Sequence, residues 1–355
     1  MRIVILGLSI TSSWRNAHAT NYRALTRALA ARGHDVLFLE RDAPWSAEHR
    51  DVPRPVWGQT RLYGSLDELR AGYRSTVRDA DAVIVGSRVP DGIAVGEWVV
   101  ATARGVPVFY DIDTPATLSA LARGECAYLT PRLVRAYRVY LSCTGGPTLR
   151  RIEDELGSPS ARAFHSLVDP GAYPVLDVPR RWDLGHLGSH SPELWPALER
   201  LVLEPARRHP SLRCVVAGPD YPDEIAWPQN VQRIETIPPA ERPSFYAAQR
   251  FTVSITQADS VAAGWSPTAQ LFAAAACAVP VISDGWEGVE SFFEPGREIL
   301  IACDAHDVLL ALANTTEDAR RAIGRRGRER ILADHTAGVR AAQLEATLEA
   351  ALARA

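Results

Sequence analysis

Three short stretches of this 355-residue chain carry residue types able to do chemistry. The first, Trp14-Arg15-Asn16-Ala17-His18, follows an apolar run at residues 2–8 and opens a helical pattern. A histidine in that place can take a proton from a hydroxyl near neutral pH, or it can hydrogen-bond a neighbouring loop. The second is Asp111-Ile112-Asp113-Thr114-Pro115. Either aspartate can orient His18 or bind a ligand, and Asp113 before Thr-Pro also reads as a helix start. The third is Gly264-Trp265-Ser266-Pro267-Thr268, ahead of an alanine-rich helix. Ser266 suits the N-cap, Pro267 the first helical position, and Thr268 adds a second hydroxyl. The free N–H groups and partial positive charge of a helix N-terminus suit a phosphate, although a well-capped core helix looks the same.

Further candidates are weaker. Arg88, in SRVPDG, either meets a charged ligand or lies on the surface. Thr144-Gly145-Gly146 reads as a backbone cradle or as a simple turn. His190, in GSHSP, stands at a helix start, and no histidines show metal-ligand spacing. Five cysteines without CxxC spacing read as buried free thiols. All 39 Lys-plus-Arg positions are arginine. That excludes a Schiff-base lysine and a P-loop lysine, so anions must be met by Arg, backbone N–H groups or helix N-termini.

Elements that position these residues follow from the apolar pattern. Strands are expected at 2–8, 36–40, 82–86, 108–112 and 139–142, with helices at 17–32, 66–79, 92–104, 114–123 and 148–156 between them. Continuous apolar strands alternating with helices argue for a parallel sheet covered on both faces. The Pro-rich stretch 169–181 interrupts the rhythm and reads as a linker. The pattern restarts with strands at 183–187, 213–217, 231–235, 251–255, 279–283 and 298–302. Helices are expected at 193–208, 239–248, 268–277, 288–293, 305–313 and 317–333, with a last one at 338–354. The expected architecture is α/β, two Rossmann-like doubly wound domains facing a cleft. The first spans 1–170 and the second 182–335, and a terminal helix at 336–355 packs back toward the first. Ligands of open α/β sheets bind beyond the carboxyl ends of the strands, where all three stretches fall.

A net charge of −3 without any block of like charge argues against nucleic acid as a partner. No apolar run is long enough to span a bilayer, and MRIVILGLSI reads as a buried strand rather than a leader, so a cytoplasmic protein without stable membrane insertion is expected.

The stretch SPTAQLFAAAACAVPVISDGWEGVESFFEPGREILI resembles the signature region of GT-B glycosyltransferases. It is most similar to the CgeB-like, spore-maturation-type branch related to families 1 and 4. SITSSWRNAHATNYRALTRALAARGHDVLFLERD, VFYDIDTP, YLSCTGGPTLRRI and VVAGPDYP fit the same group. The resemblance implies a nucleotide-sugar donor held mainly by the second domain and an unidentified acceptor held mainly by the first, with no metal and no other cofactor. Carried over residue by residue, Gly188, Ser189, Gly218 and Ile237 line the donor site. Ser266 and Thr268 meet the diphosphate, Gln270 stands where an arginine is usual, and Glu287, Gly288 and Glu290 face the donor sugar. Trp14, Arg15, Asn16, Arg88 and Asp111 fall to the acceptor side, with His18 and Asp113 as the catalytic pair.

The chain departs from the family pattern at Trp265 and Ala273, where two glutamates are usual, and at Ala278, where glycine is usual. Relatives read WGNGHAT where this chain has WRNAHAT. The expected activity is metal-independent transfer of a sugar to an acceptor. The competing expectations are a pseudo-glycosyltransferase or nucleotide-sugar epimerase on the same fold, and a nucleotide-sugar-binding protein without catalysis.

Overall fold

The structure, a computed structural model, describes every residue except Arg15, Ala17 and Ala355. It divides into two units, Met1–Leu167 with Ala337–Ala355, and Val168–Thr336. The first holds a seven-stranded sheet of β1 (Arg2–Gly7), β2 (Asp35–Arg41), β3 (Gln59–Tyr63), β4 (Ala82–Gly86), β5 (Val106–Asp111), β6 (Val139–Ser142) and β7 (Ala161–Ala163). All pairings are parallel, in the order β3-β2-β1-β4-β5-β6-β7. The inner strands are apolar at consecutive positions because helices cover both faces. Ile3, Ile5 and Ile84 join one core cluster while Val4, Leu6 and Val85 join another.

The second unit repeats the plan with β8 (Trp182–Leu187), β9 (Cys214–Ala217), β10 (Val231–Ile234), β11 (Gln249–Ser254), β12 (Val281–Ser283) and β13 (Leu300–Ile301). Its order is β10-β9-β8-β11-β12-β13, again parallel throughout. In each sheet the strand order reverses once, between β1 and β4 and between β8 and β11. These are the switch points where the loops splay apart and leave a crevice. The loops carrying His18 and Arg88 leave β1 and β4; those carrying Gly188 and Ser266 leave β8 and β11.

The terminal helix Ala337–Leu352 belongs to the first unit, where Ala341, Leu344 and Leu348 share a core with Leu25 and Leu29 of helix His18–Ala31. The Pro-rich stretch is not a free linker. Val168 and Tyr173 are buried in the second unit's core with Trp182 and Phe272, and the Tyr173 carbonyl accepts from Arg328 at 3.0 Å. The expected helix at 193–208 forms, with a π turn at Glu199–Leu203. Pro205 explains it, having no N–H for the regular ladder and clashing with the preceding turn. The expected helix at 288–293 shrinks to one 3-10 turn, Val289–Ser291, because Gly288 is left-handed at φ 87° and Pro295 soon follows. No helix among the described residues is long and apolar enough to cross a membrane.

Candidate functional site

The loop after β1 is held in place by two carboxylates before it reaches His18. Glu40, wholly buried at the end of β2, accepts from the N–H groups of Ile10 (2.6 Å) and Thr11 (2.9 Å) and from the hydroxyls of Ser9 (3.1 Å) and Thr11 (2.6 Å). Asp51 accepts from Ser13 N (2.9 Å), Ser13 Oγ (2.7 Å) and both terminal nitrogens of Arg23 (2.9 and 2.7 Å). Asn16 then caps the helix. Its Oδ1 accepts from Ala19 N at 3.1 Å, and its Nδ2 donates to the carbonyls of Ser12 (2.9 Å) and Trp14 (3.2 Å). Its amide is therefore occupied by the protein, which replaces the acceptor-contact role expected for it. Arg15 lies outside the described residues. Trp14 stays exposed and stacks on His49.

His18 is buried, and its Nε2 lies 3.0 Å from Asp113 Oδ2. The same oxygen accepts from Ser87 Oγ at 2.9 Å and faces Arg88 Nε at 3.1 Å. Asp113 occupies the N-cap position of helix Thr114–Ala122, yet its side chain makes no cap bond. The carboxylate is turned to His18 instead, while the helix itself starts at Thr114 as expected. Burial resists its charge, but the His18 hydrogen bond and the nearby Arg88 guanidinium outweigh this and hold its carboxyl at about 2. Arg88 is thus an ion-pair partner within the site, on left-handed backbone at φ 59°. With the carboxylate at Nε2, the neutral ring carries its proton there and leaves the Nδ1 lone pair open. Nδ1 is buried without a hydrogen-bond partner among the described residues.

Asp111 lies behind this pair, fully buried. It accepts from Tyr140 Oη (2.5 Å), Thr117 Oγ1 (2.8 Å) and Asp113 N (3.1 Å). Burial pushes its carboxyl up to about 6. Its oxygens are taken up within the fold, so it supports Asp113 and does not reach an acceptor as expected. Thr144 N bonds to Ser142 Oγ at 3.0 Å, in keeping with a turn rather than an open cradle.

In the second unit Gly188 and Gly218 meet where β8 and β9 end. A Cβ on Gly218 would lie 1.9 Å from the Gly188 carbonyl oxygen, and its φ of 139° also demands glycine. Tyr221 Oη donates to that carbonyl at 3.1 Å. His190 packs against Tyr221 and Trp195, and the Arg233 guanidinium lies 4.1 Å over the Tyr221 ring. Ser189 is exposed and Ile237 is half-buried against the core.

The alanine-rich helix runs Ala269–Ala276, and its cap is Thr268, whose Oγ1 accepts from Leu271 N at 3.1 Å. This corrects the assignment of the cap to Ser266, whose hydroxyl donates to Gly264 O at 2.9 Å. Pro267 lies before the cap and takes its fixed φ in extended chain, so the hydroxyl two residues later fills the cap position. Gln270 is exposed on the first turn, and Ala273 is buried.

Trp265 and Gly288 interlock. Trp265 N donates to Glu287 O at 2.6 Å, Nε1 donates to Ser291 Oγ at 3.2 Å, and a Cβ on Gly288 would lie 2.4 Å from the indole. Glu287 and Glu290 are exposed beside them. Asp284, a residue the sequence reading passed over, is buried and accepts from Thr256 N (2.9 Å) and Oγ1 (2.8 Å), tying the ends of β11 and β12 together. Burial raises its carboxyl despite those bonds. Glu40 was missed likewise; for both the signal was a carboxylate ending an apolar strand.

Residues 196–346 match the model of a family described as glycosyl transferase-like. No curated protein sequence matches the chain. Among solved structures, HepE from Anabaena, solved with UDP and glucose, superposes with a TM-score of 0.69 at 14% identity, covering 99% of this chain and 100% of that one. Sucrose-phosphate synthase from Thermosynechococcus elongatus gives 0.67 at 14% identity, with 100% of both chains covered. The T4 phage enzyme BGT, solved with UDP-glucose, gives 0.63 at 11% identity, with 99% of both covered. The two parallel-sheet units therefore share the GT-B glycosyltransferase fold.

Proposed function

We propose that this protein is a glycosyltransferase of the CgeB-like branch, moving a sugar, a hexose in the simplest case, from a nucleotide-sugar to a hydroxyl-bearing acceptor. The observation that carries this reading is the His18–Asp113 pair at the β1/β4 switch point, with Nδ1 open. In the reaction His18 Nδ1 takes the acceptor proton while the acceptor oxygen bonds to the anomeric carbon. The bond from that carbon to the diphosphate breaks, and nucleoside diphosphate leaves. Asp113 stabilises the imidazolium formed on His18. Access to the buried Nδ1 requires local opening when the acceptor enters.

The donor falls to the second unit, at Gly188, Gly218 and the Thr268-capped helix start. UDP or UDP-glucose bound to the neighbouring structures supports a nucleotide-sugar there. The reaction is proposed to need no metal. The Asp111 and Asp113 carboxylates already hold Tyr140, Thr117, His18, Ser87 and Arg88, a set of donors rather than a cation site. A cytoplasmic location belongs to the same reading.

One observation favours a second reading, donor binding without catalysis: Trp265 fills the space over Gly288, and Ala273 offers no side-chain acceptor. Release of UDP from UDP-glucose across an acceptor panel, without added metal and with chelator, separates the two. Acceptor-dependent release that disappears in His18→Asn is expected. Release that persists in His18→Asn would remove His18 as the base, and tight UDP-glucose binding without release under any acceptor would favour the second reading.

A further inference from the structure

We infer that Trp14, backed by His49, is a stacking platform for the acceptor, and that the acceptor it fits is a flat aromatic alcohol, a phenol, rather than a sugar. This rests on the reading of His18 as the base that takes the acceptor proton.

Two features set Trp14 apart from an incidental surface tryptophan. The first is placement. In the first unit the large apolar side chains most exposed are Trp14 (47%), Trp45 (42%) and Val56 (83%). Trp14 and Trp45 follow the carboxyl ends of β1 and β2, the end of the sheet that carries His18, whereas Val56 precedes β3 at the opposite end. The second is support from the protein behind the ring. The Trp14 ring stacks on His49 with centroids 4.2 Å apart and planes 28° from parallel. The buried Ser12 hydroxyl ties the same two residues through their backbones, accepting from Trp14 N at 3.2 Å and donating to His49 O at 2.8 Å. The Trp14 carbonyl accepts from Asn16, which caps the helix that begins at His18. An exposed aromatic face backed by a stacked ring and hydrogen-bonded backbone leaves a ligand less ordering entropy to overcome.

The polar groups around the platform decide the ligand class. A sugar ring surrenders several hydrogen bonds to water and needs replacements from the protein. Among the described residues, the carboxylates of this loop and the Arg23 guanidinium beside them are taken. Asp51 is filled by Ser13 and Arg23, Glu40 by Ser9, Ile10 and Thr11, and the third arm of Arg23 donates to Ile10 O at 2.8 Å. Among the described residues from Ser9 to His18, the buried side-chain atom without a partner is His18 Nδ1. A phenol asks for one flat apolar face and one partner for its hydroxyl. With an ordinary pKa near ~10, as for tyrosine, it also yields its proton to an imidazole more readily than an aliphatic alcohol does.

The test uses the full chain with UDP present and measures binding by ligand-observed NMR and calorimetry. The probes are 4-methylumbelliferone and methyl β-glucoside. The phenol is expected to bind at least about tenfold more tightly than the glucoside, and Trp14→Ala to weaken it by about tenfold, the range of an aromatic stack lost. Trp14→Phe, which keeps a ring, is expected to restore most of that loss. Equal or tighter binding of the glucoside, no binding of the phenol, or unchanged phenol binding in Trp14→Ala overturns the inference. Phenol binding that depends on Trp14 without any sugar transfer would count against the proposed reaction and leave the platform standing. Transfer to the glucoside alone would keep the reaction and overturn the platform.

Discussion

Asp111 and Asp113 are two residues apart, joined by a hydrogen bond from Asp113 N to Asp111 Oδ1 at 3.1 Å, and their carboxyls are displaced in opposite directions, to about 6 and about 2. Burial dominates at Asp111. At Asp113 it is overcome by the His18 hydrogen bond and the charges around it. The folded pKa of Asp111 lies above its ordinary 3.8, so the fold favours the protonated form. Its stabilising effect is complete below 3.8 and is lost as pH rises to about 6. For Asp113 the sign reverses: its effect is complete above 3.8 and is lost as pH falls toward about 2. Each shift corresponds to roughly 2–3 kcal/mol. Urea unfolding across this range should therefore show wild type losing stability from pH 4 to 6.5 relative to Asp111→Asn. Parallel curves for the two proteins would show that Asp111 is not held protonated by the fold.

Asp113→Asn keeps the shape beside His18 and removes the charge that fixes the ring. An amide can present its NH2 to Nε2 and move the ring proton to Nδ1, the atom that accepts one in the proposed reaction. Turnover of UDP-glucose with an accepted acceptor should fall by about a hundredfold or more. UDP affinity should stay within about twofold, because the proposed donor loops belong to the other unit. A fall in UDP affinity matching the fall in turnover would show that Asp113 acts through the donor site or the fold.

Ala278 follows the alanine-rich helix in left-handed backbone at φ 58°, the conformation in which helices commonly end on glycine. Ala278→Gly should stabilise the protein by about 1 kcal/mol, raising the melting temperature by a few degrees. The neighbouring helix Glu317–Asp334 comes so close that a Cβ on Gly324 would lie 2.1 Å from Ala278 O. Gly324→Ala should therefore cost more than about 2 kcal/mol, since a backbone carbonyl cannot move aside as a side chain can. Opposite signs in paired melting curves are the expected result, and a neutral Gly324→Ala would mean the two helices slide apart easily.

The inner strands were legible from sequence because burial on both faces leaves unbroken apolar runs; β4 and β6 occupy the expected residues. Two strands were not: β3, QTRLY, and β7, ARA, both at sheet edges, where half of each strand faces solvent and polar residues are tolerated. Helices Pro131–Ala136 and Ala258–Ala263 were too short for a periodic signal. At the site, His18 and Asp113 could be named from residue type and from their place after a strand. Their pairing could not be, because it depends on Asp113 declining the cap its sequence invites. The partners of Glu40 and Asp284 were illegible for a related reason: their hydrogen bonds go to loops far along the chain, 28 to 31 residues away. The left-handed angles of Trp265 and Ala278 leave no local mark, since neither residue type favours them.

Ala273 tests whether the donor pocket has been rebuilt. The resemblance places a glutamate here, and restoring it by Ala273→Glu has two opposed outcomes. If an ordinary nucleotide is bound with its ribose unpaired, the new carboxylate gains a charge-assisted bond and affinity rises by roughly tenfold or more. The packing argues for the opposite. Ala273 is 6% exposed and clusters with Leu271, Phe272, Ala274 and Trp286, with Trp265 packed against the same cluster. The polar residue on this stretch is Gln270, exposed one turn earlier. A carboxylate at 273 must give up its hydration among apolar side chains, and small alanines leave little room for four added heavy atoms. Ala273→Glu should therefore lower the melting temperature by several degrees, and UDP binding measured by calorimetry should weaken or stay unchanged. In that case Gln270→Ala should cost UDP affinity, because the amide has taken over the contact. Tighter UDP binding with an unchanged melting temperature would establish an ordinary pocket that has merely lost one side chain.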